Sequence, residues 1–182
     1  MAVQGLAAGG MAETAGHGYT PAMYDFGPSD RQDKSALYRE LAEAGGAITD
    51  GEADAVANMA NCAALLDMFL PDLNWAGFYR LIAGELVLGP FIGRPACIRI
   101  PLGKGVCGTA AAEARTMLVE DVQAFPGHIA CDPASRSELV VPIVREGAVI
   151  AVIDLDSPLP ARFDEADRKG IEAFAAILAY RV

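Results

Sequence analysis

No two cysteines in this chain lie within four residues of each other. Structural zinc sites usually pair their ligands as C-x2–4-C, so that scaffold is excluded. Four cysteines in 182 residues are also too few for the dense disulfide framework of a small secreted domain. Basic charge is scarce: 14 Lys and Arg against 24 Asp and Glu give a net charge of −10 and a pI near 4.6. Nucleic acids and anionic membranes both need a basic face, so neither is an expected partner. No apolar run approaches the roughly 20 residues of a membrane span. Residues 1–30 lack the basic start and long apolar core of a secretory signal. A reducing cytoplasm is therefore the expected compartment, where any disulfide is transient and catalytic.

What is present is a core. Apolar residues make up 53% of the chain, enough to fold and too many for disorder. Residues 1–30 are rich in Gly, Ala and Pro without a clear period, and read as a flexible extension. Residues 31–182 read as one domain with no internal repeat. A helix is expected over Lys34–Ala44, ended by Gly45-Gly46, with glycine in the left-handed closing position. Thr49 or Asp50 is expected to cap a second helix, with Ala57, Ala60, Leu65, Met68 and Phe69 on or near its stripe and Pro71 as its stop. Cys62 within it reads as a buried small residue. From Asn74 the period becomes that of strands. WAGFYRLIAGELVLG reads as two strands about Ala83-Gly84. Cys97–Pro101 and Thr116–Glu120 read as short strands, with a helix over Gly105–Ala114 between them and a loop over 121–136. Glu138–Val144 and Val149–Asp156 read as a hairpin about Arg145-Glu146-Gly147. The last helix opens on Asp164, supported by Asp167, with Ile171, Phe174, Ala175 and Leu178 inward. Helices, then adjacent strands, then a helix describe an α+β fold, an antiparallel sheet with helices packed on it.

Three cysteines, Cys97, Cys107 and Cys131, are spaced C-x9-C-x23-C on segments rich in Gly, Pro and charge. Separate cysteines on loops suit a thiolate nucleophile and a partner that closes a disulfide on it. Free cysteine is equally a core residue. Gly103–Gly108 matches G-x-G-x-x-G, which would need a parallel βαβ unit to bind a dinucleotide. Hairpins surround it, so a tight turn feeding a helix N-terminus is the expectation, with free N–H groups for an anion such as a carboxylate. Asp154 and Asp156 share a strand face with Ile150 and Val152. Either they form a buried acid pair, which Glu138 can join across the hairpin, or the strand simply reaches solvent there. Trp75 and Tyr79 share a face, as core or as a pocket wall. His128, three residues before Cys131, reads more readily as a loop residue than as its base.

The segments NWAGFYR, LVLGPFIGRPACIRIPLGKGVCGTAAAE, FPGHIACDPASRSELVVPIV and AVIDLDSP resemble the free methionine-(R)-sulfoxide reductases, enzymes built on a GAF domain. The resemblance runs from about Lys34 to Leu178. It implies a catalytic Cys131, a resolving Cys97 and an auxiliary Cys107. It further implies pocket acids at Glu138, Asp154 and Asp156, and pocket aromatics at Trp75 and Tyr79. The implied substrate is free methionine-R-sulfoxide, thioredoxin is the implied reductant, a homodimer is compatible, and no cofactor or metal is expected. Two other readings remain. One is a ligand-sensing GAF domain without catalysis. The other is a thiol or metal switch using Cys97, Cys107, Cys131 and His128.

Overall fold

The computed structural model describes residues 26–127, 129 and 132–182. Most of the expected extension, 1–25, therefore lies outside the described residues, as do His128 and Cys131. Of the extension's described end, Phe26 packs against the core and Ser29 donates to the Glu40 carboxylate.

Helix α1 spans Lys34–Ile48 and opens on Asp33, whose carboxylate accepts from the N–H of Ser35 and Ala36. It does not stop at Gly45-Gly46. Its closing residue is Thr49, whose hydroxyl donates to the Gly45 carbonyl at 2.7 Å. A side chain at Gly45 would place Cβ 2.3 Å from the Phe174 ring. The glycine therefore serves close helix packing, not a left-handed end. Helix α2, Ala55–Phe69, is capped by Asp54, not by Thr49 or Asp50. Leu65 and Phe69 face inward as expected, joined by Met59, Cys62 and Leu66. Ala57, Ala60 and Met68 face solvent. Pro71 follows the end of the helix as expected.

The strands are β1 (Trp75–Ile82), β2 (Glu85–Gly93), β3 (Arg99–Pro101), β4 (Met117–Val119), β5 (Ser137–Arg145) and β6 (Ala148–Ser157). They form one sheet in the order β3-β2-β1-β6-β5-β4, antiparallel at every pairing. Both long hairpins turn through two residues at positive φ, Ala83-Gly84 and Glu146-Gly147, the twist that matches the strands. Cys97 lies just outside β3. Helix α3 spans Gly105–Glu113, entered from Gly103 and Gly105 at positive φ. The G-x-G-x-x-G run is thus the expected tight turn, and an antiparallel sheet has no place for a dinucleotide βαβ unit. Helix α4, Glu165–Leu178, opens on the Asp164–Asp167 capping box and buries Ile171, Phe174, Ala175 and Leu178 as expected.

The sheet divides two cores. Helices α1, α2 and α4 cover one face through Leu41, Leu66, Phe78, Leu155 and Phe174. Helix α3 covers the other, where Val106 and Ala110 meet Trp75, Tyr79, Ile100, Val140 and Val152. Among the described residues no helix is long and apolar enough to cross a membrane.

Candidate active site

Strand register brings the acids together. Asp156 of β6 pairs with Glu138 of β5 on one side and Trp75 of β1 on the other. Asp154 lies two residues away on the same face, opposite Gly77 and Val140. A Cβ at Gly77 would lie 2.4 Å from Phe91. Its absence lets Phe91 close in and stack on Trp75, with ring centroids 5.1 Å apart. Tyr79 stacks on the same indole at 5.9 Å. Ile150, expected on this face, instead packs toward the other core. A bulge between Ile143 and Val144 breaks the alternation there.

Cys107, in the first turn of α3, closes this face from above. Its Sγ donates to Glu138 Oε1 at 3.8 Å. Donor atoms of Cys107, Glu138 and Asp154 all lie within 4.8 Å of one another. The three are buried, Glu138 and Asp154 at 6% exposure each, so the strand does not reach solvent there. Among the described residues Asp154 Oδ1 has no hydrogen-bond partner although it is buried, a costly state for an acceptor.

Burial sets the proton occupancy. It pushes Asp154 up to about 6, with hydrogen bonds from Cys107 and Glu138 pulling the other way. Glu138 is also raised, by burial first and then by the charges of Asp154 and Asp156. Asp156 is raised by burial and by Asp154. The Cys107 thiol is also raised, by burial and both neighbouring acids. Crowded carboxyls in a low-dielectric site hold their protons to higher pH than free ones, and Asp154 releases its own just below neutrality. Asp132 behaves oppositely. The Ala134 N–H and the Asn74 amide hold its carboxyl below the usual range.

Two adjoining hollows share Asp132, Asp154 and Asp156. One, of about 380 Å³, is lined also by Cys107, Glu138, Ser135, Lys104, Gly105, Val106, Ile100 and Ile129. The other, about 220 Å³, is lined by Trp75, Tyr79, Arg94, Pro95 and Ala96. The Gly105 end of α3 lines the first hollow, and the first N–H groups of a helix, which lack intrahelical partners, suit an anion.

Cys97 stands at the rim. Its carbonyl accepts from the Tyr79 hydroxyl at 3.1 Å, and it is disulfide-bonded, whereas Cys62 and Cys107 are free. The metal set read from the sequence therefore has one cysteine already bonded. Among the described residues the donors close enough for a cation are Cys107, Glu138 and Asp154. Cys62 lies in the opposite core, its thiol pushed up to about 12 by burial.

Trp75, Tyr79, Cys107, Glu138, Asp154 and Asp156 thus converge, and Cys97 borders them. Sequence reasoning missed Asn74, Phe91, Asp132 and Ser135. Asn74 donates to Asp132 at 3.1 Å and to Ser135 at 3.0 Å, tying the aperiodic loop to the end of β1. The segment ACDPASRSE held the hydrogen-bonding residues, but no period marked which of them turn inward.

The profile of the GAF domain family matches residues 39–182. The free methionine-R-sulfoxide reductase of Escherichia coli is 48% identical over 145 residues, covering 80% of this chain and 88% of that protein. The Saccharomyces cerevisiae enzyme of the same name is 40% identical over 158 residues, covering 82% and 88%. The X-ray structure of free methionine-R-sulfoxide reductase from Neisseria meningitidis, in complex with its substrate, superposes with a TM-score of 0.80 at 47% identity, covering 86% and 92%.

Proposed function

The chain belongs to the GAF domain family and, within it, to the free methionine-R-sulfoxide reductases, and on that premise we propose that it reduces free L-methionine (R)-S-oxide to methionine in this pocket. The observation that carries the reading is the buried acid cluster. A sulfoxide oxygen leaves sulfur only as it gains protons, and Glu138 is a carboxyl whose proton is held by burial and by the charges of Asp154 and Asp156.

Each part of the ligand meets a suitable group. Asp132, held ionised, takes the ammonium together with Asp156. The α3 N-terminus and Lys104 take the carboxylate. Trp75, Tyr79 and Phe91 pack on the thioether arm. The sulfoxide oxygen points at Glu138 and Asp154. A peptide-bound substrate has no ammonium for the acids and continues into chain, so it is excluded.

Cys131 is the nucleophile. Its thiolate attacks the sulfoxide sulfur as an acid protonates the oxygen; the hydroxyl then passes from the substrate sulfur to Cys131, the transient S–S bond breaks, and methionine leaves with Cys131 as a sulfenic acid. The Cys97 thiol displaces that oxygen as water and forms a disulfide. A dithiol such as thioredoxin then returns two electrons and two protons. The bonded state of Cys97 and the free thiols of Cys62 and Cys107 support this assignment. Cys107, its thiol raised in pKa and hydrogen-bonded to Glu138, acts as a proton-bearing neighbour. Such turnover suits a thiol-reducing cytoplasm.

Thioredoxin-coupled NADPH oxidation tests the proposal, with free methionine-R-sulfoxide, its S epimer and a peptide-bound form as substrates. Turnover of the free R epimer alone is expected. Tight binding without turnover would favour the ligand-sensing reading, and equal rates on peptide substrates would refute the closed pocket.

A further inference from the structure

The segment that carries Cys97 has two sides. Arg94, Pro95 and Ala96 wall the second hollow. The outer side presents Ile98, 71% exposed, immediately after the disulfide-bonded Cys97. The Tyr79 hydroxyl bonded to the Cys97 carbonyl and the Leu88 N–H bonded to the Ile98 carbonyl fix this segment on the sheet. Ile98 is therefore held outward on a rigid support at the β3 edge of the sheet. The charge here is also unusual. Residues 94–104 carry Arg94, Arg99 and Lys104, all exposed, and no acid, in a chain of net charge −10; Arg99 pairs with Glu85 of β2, which leaves Arg94 and Lys104 as the main source of positive charge. Leu102, also exposed, follows β3 in the same stretch.

We propose that this face, centred on Ile98 and bordered by Arg99 and Leu102, docks the protein dithiol that reopens the Cys97 disulfide, a partner with an apolar contact patch and an acidic border. The inference rests on the reductase reading above, because only a catalytic disulfide needs a recurring reductant. A thiolate of the partner attacks Cys97 Sγ, the existing S–S bond breaks, and the released sulfur takes a proton. The partner's second thiol then attacks the mixed disulfide. Cys97 leaves as a thiol, and the partner carries away the disulfide, having given two electrons and two protons. An exposed aliphatic side chain beside the reacting sulfur supplies contact area. The local positive charge speeds encounter with an acidic face.

The test compares two reductants on the full-length protein. Ile98→Asp and Ile98→Ala are assayed with thioredoxin, its reductase and NADPH, and separately with dithiothreitol. Tyr180→Asp is the control, since Tyr180 is equally exposed at 72% on the terminal turn after α4. The expected result is a KM for thioredoxin raised at least about tenfold in Ile98→Asp and less in Ile98→Ala, with dithiothreitol-driven kcat unchanged. Tyr180→Asp should match wild type, and added salt should lower wild-type kcat/KM for thioredoxin alone. An unchanged thioredoxin KM in Ile98→Asp overturns the proposal. So does an equal loss with dithiothreitol, an equal loss in Tyr180→Asp, or a salt-independent kcat/KM for thioredoxin. If wild type shows no dithiothreitol-driven turnover, the reductase reading fails instead.

Discussion

Replacing Asp154 with asparagine should stabilise the protein while impairing catalysis. Burial raises the Asp154 carboxyl from 3.8 to about 6. The folded chain thus holds a proton that the unfolded chain releases. For a raised acid, stability is highest below the unfolded pKa and falls as pH rises through the folded value. At about 1.4 kcal/mol per pKa unit, the penalty is about 1 kcal/mol near pH 4.5 and reaches about 3 kcal/mol above pH 7. Asparagine cannot ionise and escapes this cost. Its amide loses roughly one carboxyl hydrogen bond, worth about 1 kcal/mol. The net gain is about 2 kcal/mol near pH 8 and close to nothing near pH 4.5. For a domain of this size that raises Tm by roughly 4–8 °C at the higher pH. Thermal melts of the reduced wild type and variant at both pH values measure it, alongside kcat/KM. A Tm shift that is the same at both pH values, or a loss at pH 8, would refute the assignment of Asp154 as a buried, strained acid. A trade of this kind is common where catalysis needs a group the fold would rather not bury.

The cysteines should separate by role. Cys131→Ser should form no methionine, Cys97→Ser should complete one turnover and then stall with thioredoxin, and mass mapping of the oxidised protein should find Cys97 joined to Cys131; an active Cys131→Ser variant would overturn the mechanism. Glu138→Gln and Asp156→Asn should each lower kcat/KM at least about tenfold, near 1.4 kcal/mol. Because Glu138 is raised and acts in its protonated form, wild-type kcat should fall as pH rises through its folded pKa, and that limb should be absent from the residual activity of Glu138→Gln. Alanine in place of an exposed helical glycine usually adds up to about 1 kcal/mol, but Gly45→Ala drives Cβ to 2.3 Å from a fully buried Phe174 ring. Denaturant unfolding should therefore show a loss of roughly 1–3 kcal/mol, and a stabilised variant would mean that α1 and α4 can separate at no cost.

The parts of the fold legible in the sequence were those governed by local chemistry. The Ala83-Gly84 turn, the turn at Glu146-Gly147, the glycine turn into α3 and the Asp164–Asp167 capping box each involve neighbours in the chain and were found where expected, as was strand alternation apart from Ile150, which the bulge in β5 displaces. The stripe of α2 was not legible. The helix is Ala-rich and apolar nearly all round, so several faces fit equally and the sheet beneath chose among them. Gly45 looked like a helix end because propensity is local, and the approach of Phe174 from the far end of the chain overrode it. The sequence also put Asp154 and Asp156 on one face with Glu138 in reach, since alternation and hairpin register determine that much. Whether those acids met water depended on α3, which folds over the strand ends and brings Cys107 against them. Asn74, Asp132 and Ser135 form their network across 58 and 61 residues of intervening chain. No period or turn signal encodes such a contact; only the packed loop supplies it. Residue identity determined which groups could give up a proton, and tertiary burial decided that they would give it up at a higher pH than free carboxyls do, because desolvation is a property of the surroundings and not of the side chain.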